Sequence, residues 1–123
     1  MLNVYTKRLG TVAVLCLQGR IVIGETKTLR ETFEQLTGIT TVLLDLTRVS
    51  MIDAAGLGVL LELRQKTKTN GLDFRLMNPT ERVSQLFEIT RLNTVFETTS
   101  PARLLPTKHL GQRMELRDLA ACA

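Results

Sequence analysis

The chain has 123 residues, enough for one domain with one real core. Its hydrophobic fraction of 44% is that of a soluble globule, and no apolar run reaches the roughly 20 residues of a membrane span. A formal net charge of +4, spread along the chain without interleaved aromatics, does not make a nucleic-acid platform. The opening Met1-Leu2-Asn3-Val4-Tyr5 lacks a basic segment followed by an apolar block, so the expected compartment is the cytoplasm. Of the two cysteines, Cys16 lies in an apolar run and reads as a buried thiol, and Cys122 reads as exposed. With the single His109 they cannot assemble a metal site, and no cofactor is expected.

Leu2 to Arg8 alternates and predicts a first strand, with Gly10 in the turn. Thr11 to Leu17 predicts its antiparallel partner, and Ile21-Val22-Ile23 an extended continuation. From Glu25 to Thr37, Leu29, Phe33 and Leu36 have helical spacing, and Gly38 is a stop. Thr40 to Leu46 predicts a buried central strand, and the loop that follows holds Thr47 and Ser50. Ala54 to Thr69 predicts a second helix. Leu57, Val59, Leu60, Leu61 and Leu63 form its broad apolar side, and Ala54, Ala55, Gly58, Glu62, Gln65 and Lys66 the other. Asn70-Gly71 turns into a strand over Leu72 to Leu76. Asn78-Pro79-Thr80-Glu81 predicts a third helix capped by Asn78, running to Thr90. A last short strand is expected near Thr94 to Glu97. Residues 1–100 form the domain, and residues 101–123 an extension that is a short helix or disordered. This alternation predicts an α/β fold with a mixed sheet of about four to five strands.

The junction between the central strand and the second helix holds the most information. Asp53 is placed to cap the helix by accepting from the Gly56 amide. Gly56 and Gly58 each cost about 1 kcal/mol of helix propensity relative to Ala, which suggests a close approach. Asp45-Leu46, Val49, Ile52-Asp53 and Gly56-Leu57-Gly58 resemble the signature of the STAS domain, the anti-sigma-factor antagonist family. The resemblance spans about Leu2 to Thr99 and implies helices mainly on one face of the sheet. It further implies a protein-interaction module that binds an anti-sigma factor, a serine kinase-like protein, and so regulates sigma-dependent transcription. The phospho-acceptor hydroxyl of that family falls at the two positions after Asp53, here occupied by Ala54 and Ala55.

Catalysis finds little support. Asp45 and Asp53 could be an acid–base pair, but a strand end and a helix cap explain them better. Gly56-Leu57-Gly58 lacks the Lys-Ser/Thr of a phosphate loop. The chain is therefore expected to be a non-enzyme. Its expected partner surface comprises Ser50, Met51, Asp53, Ala54, Ala55, Gly56, Leu57, Gly58 and Glu62. The competing reading is a ligand-binding STAS domain, holding a nucleotide or serving a lipid-transport assembly. A phosphotransfer acceptor is disfavoured by the missing hydroxyl.

Overall fold

The computed structural model describes residues 1–96 and 98–99. Strands β1 (Asn3–Leu9) and β2 (Val12–Ile21) form an antiparallel hairpin. Helix α1 (Lys27–Glu34), strand β3 (Thr41–Ile52), helix α2 (Ala54–Thr69), strand β4 (Asp73–Met77) and helix α3 (Glu81–Ile89) follow. A 3-10 turn (Leu92–Thr94) leads to the two-residue strand β5 (Thr98–Thr99). The strands form one sheet in the order β1-β2-β3-β4-β5, parallel from β2 onward. A mixed sheet follows from these connections. A tight turn makes β1–β2 antiparallel, whereas helical crossovers return the chain parallel.

All three helices bury their apolar stripes on one face. Leu29 and Phe33 of α1, Val59, Leu60 and Leu63 of α2, and Val83 and Phe87 of α3 join Leu15, Leu44 and Leu76 from the sheet in one cluster. Each fully buried Leu contributes about 1.5–3 kcal/mol through the apolar area removed from water. Phe87 also meets Phe96, with ring centroids 5.4 Å apart. On the other face a smaller cluster holds Val14, Cys16, Leu43 and Met77. Cys16 is buried as expected, but it is disulfide-bonded and not a free thiol.

Several boundaries differ from the sequence expectation, each for a local reason. The β2 and β3 strands do not stop at Leu17 and Leu46. Register shifts between Cys16 and Gln18, and between Gly19 and Arg20, let pairing resume to Ile21 and Ile52. Thr47 and Ser50 therefore lie on β3 and not in a loop. Helix α1 is shorter at both ends than 25–37. Asn78 does not cap α3. It takes a left-handed turn at φ 50°, a conformation Asn tolerates, and Thr80 caps instead by accepting from the Val83 amide at 3.3 Å. The last strand comes after the 3-10 turn, at Thr98–Thr99. Leu61 lies on the outer side of α2, because it is turned about 100° from Leu60 and away from the core. The expected extension 101–123, with His109 and Cys122, lies outside the described residues.

Candidate interaction site

Strand β3 ends at Ile52 and the chain enters α2 one residue later, so Asp53 is the whole junction. Its backbone is extended, with φ −105° and ψ −174°, as a capping residue requires. One carboxylate oxygen, Oδ1, accepts from the Gly56 amide at 2.9 Å. The other, Oδ2, accepts from the Ile23 amide at 3.0 Å. The cap was legible in the sequence. The second bond was not, because it spans 30 residues to the loop between β2 and α1. Asp53 thus ties this loop to the start of α2 and holds Ile23, 78% exposed, beside it.

The Ile23 amide, followed by the Gly56 amide, lowers the Asp53 pKa from its ordinary value by stabilising the ionised carboxylate. A depressed folded pKa contributes stability that is present above the unfolded value. It is lost as pH falls below about 4 and through the folded pKa. Asn at this position can still accept from Gly56 but presents an NH2 group, not an acceptor, toward Ile23. Asp53→Asn is therefore expected to keep the helix cap and speed amide exchange at Ile23. Its loss of stability below pH 4, from urea midpoints, should be shallower than that of wild type. Unchanged exchange at Ile23 would show that the loop is held by other contacts.

The two glycines of α2 differ in kind. A Cβ built on Gly56 would lie 1.9 Å from the Ile21 carbonyl oxygen and 2.9 Å from the Ile52 Cγ2. Gly56 is buried, and its lack of a side chain lets the end of β2 cross the first turn of the helix. The close approach inferred from the sequence is thus made by the protein's own backbone. Gly58 is exposed, and a Cβ there would meet nothing within 4 Å. Among the described residues, no packing calls for its glycine.

Ala54, Gly58, Leu61 and Gln65 are all exposed and fall on one stripe of α2, at i, i+4, i+7 and i+11. Met51, 42% exposed, and Ile23 extend this surface at the helix start, and Leu61 is 36% exposed. Ala55 and Leu57 are half-buried at its margins. Of the residues expected here, Gly56 is internal. Glu62 is occupied by Arg30 of α1, with Nε to Oε2 at 3.1 Å, and by Lys66 at 3.5 Å. The Arg30 guanidinium, foremost by hydrogen bonding, lowers the Glu62 pKa. Ser50 is exposed on β3 and donates to the Gly19 carbonyl at 3.3 Å. Ile23 and Leu61 were missed. A run of apolar residues could have flagged Ile23 as exposed only if the loop's return to Asp53 were known.

Asp45 is buried to 2% exposure. Its Oδ1 accepts from the Thr47 amide at 3.0 Å and from the Thr47 hydroxyl, and its Oδ2 has no partner among the described residues. No described hydrogen bond connects it to Asp53, whose carboxylate is taken by the Ile23 and Gly56 amides. No helix among the described residues is long and apolar enough to cross a membrane.

An antiparallel hairpin leads into a parallel α/β sheet, and the start of α2 lies exposed at the end of the central strand β3. The STAS domain model matches residues 3–104, and the chain belongs to the STAS domain family. The fold is similar to that of the anti-sigma factor antagonist SpoIIAA in its unphosphorylated form, with TM-score 0.67 and 18% identity over 82% of this chain and 91% of that one. It is also similar to the Bacillus cell fate determinant SpoIIAA in its phosphorylated form, with TM-score 0.63 and 16% identity over 82% and 95% of the chains. An anti-sigma factor antagonist from Mycobacterium paratuberculosis matches with TM-score 0.68 and 16% identity over 80% and 85%.

Proposed function

We propose that this chain is an anti-sigma factor antagonist that binds an anti-sigma factor of the serine-kinase type through the outer stripe of α2 and the loops at its start. The observation that carries the reading is Gly58. It sits exposed in a helix where Ala would be more stable, nothing among the described residues needs it, and small or apolar residues flank it. A partner approaching the helix closely supplies the missing reason. The likeness in fold to SpoIIAA and other antagonists supports the class of partner. The decisive experiment places a photoreactive phenylalanine derivative at Leu61 in cells of the source organism and identifies the cross-linked protein by mass spectrometry. An anti-sigma factor is the expected product. Capture of a protein of another class would overturn the reading.

Ala54 and Ala55 have no oxygen to esterify, so the antagonist is proposed to be permanently competent to bind. The nearby hydroxyls are poor substitutes. That of Ser50 is directed to the Gly19 carbonyl, and a phosphate on Thr47 would lie beside the buried carboxylate of Asp45. Incubation with the partner kinase and ATP is expected to add no mass to the protein and to leave the complex intact. Intact-mass measurement with peptide mapping checks this. Phosphate at Ser50 or Thr47 would show that a switch persists at another position. Restoring a hydroxyl by Ala54→Ser or Ala55→Ser should recreate an acceptor at only one of the two, because adjacent helix positions point about 100° apart.

A further inference from the structure

A cleft of about 270 Å³ opens between the end of β3 and α3, many times the space one water needs. Met51, Ile52, Val83, Leu86 and Ile89 supply its apolar walls. Ile89 is 80% exposed and Met51 42%, so the walls run out to the surface. Water in such a cleft has few polar partners, and its displacement by an apolar group is favourable. The cleft is continuous with the surface assigned above, since Met51 belongs to both. The charge of its rim has one sign. Among the described residues, Arg82 lines it without an ion-pair partner and no carboxylate lines the cleft. Arg20, paired in register with Met51 across β2 and β3, adds a second cation nearby, loosely compensated by Glu25 at 3.7 Å. Glu81 and Glu88 of α3 are not among the described lining residues, and they point roughly 80–160° round the helix from Arg82, Leu86 and Ile89.

We infer that this cleft receives an acidic amphipathic segment of the same partner. An apolar side chain seats among Met51, Val83, Leu86 and Ile89, and a carboxylate sets against Arg82. This rests on the proposed binding through α2 and extends it to a second element. Arg and buried apolar anchors are the residue types that concentrate binding energy at interfaces. Neither Arg82 nor Ile89 is needed by the core, as both are exposed.

The test uses the full chain with the photoreactive residue in turn at Leu61 and at Gln85, an exposed residue of the cleft wall. Both positions should capture one and the same protein. The peptide cross-linked from position 85 should carry a large apolar residue flanked by Asp or Glu. That peptide, synthesised and titrated, should lose at least ~10-fold in affinity for Arg82→Glu and for Ile89→Asp, both with wild-type urea midpoints. Capture from position 61 with none from position 85 would overturn the cleft assignment and leave the α2 surface standing. So would a captured peptide without carboxylates, or one that binds both variants as tightly as wild type. Capture from position 85 alone would overturn the shared-partner assignment and the α2 surface together.

Discussion

Gly56→Ala is expected to cost at least about 3 kcal/mol of stability, at the upper end of what overpacking does. The added Cβ would lie 1.9 Å from the Ile21 carbonyl oxygen and 2.8 Å from its carbon. Those are backbone atoms of a paired strand and cannot swing aside as a side-chain terminus would. The same carbonyl accepts from the Asp53 amide at 3.3 Å, so moving it also disturbs the entry to α2. Gly58→Ala is the matched control. It meets nothing within 4 Å and should gain about 0.5–1 kcal/mol from helix propensity and a less flexible unfolded chain. Urea midpoints for both variants are the measurement. Equal destabilisation by the two would mean that the helix start is not seated against β2.

Gly58→Glu and Leu61→Glu are expected to abolish partner binding, by 100-fold or more, with the fold intact. Both positions are exposed, so a carboxylate at either can stay hydrated in the free protein. A charge at the centre of an apolar contact is left desolvated and unpaired, a loss of about 3 kcal/mol or more. Affinity for the identified anti-sigma factor by calorimetry, beside urea midpoints, separates surface from fold. Wild-type affinity in both variants would place the binding surface elsewhere.

Much of this was open to inspection in the residues themselves. Helical spacing from Ala54 to Thr69 gave both ends of α2 correctly, because apolar periodicity and the Asp53 cap are local signals. The same locality made Asp45-Leu46 to Gly58 recognisable as a STAS signature. Errors arose where two remote segments act on one residue. Whether β3 ends at Leu46 or Ile52 depends on a bulged partner strand, which the pattern of β3 alone does not contain. Thr80 displaced Asn78 as the cap of α3 because Asn78 was taken by the left-handed turn, and the Thr80 hydroxyl also reaches the Val49 carbonyl at 3.4 Å.

The sequence by itself determined the alternation of strands and helices and the family, since each depends on residues adjacent along the chain. Only the tertiary structure separated the two glycines. Gly56 answers to Ile21, 35 positions earlier in the chain, and Gly58 answers to nothing among the described residues. It likewise showed that Asp53, besides capping α2, ties the loop after β2 to the helix start, and it placed Leu61 at the surface. Burial and hydrogen bonding at these sites are set by where distant backbone passes, and spacing along one element carries no record of that.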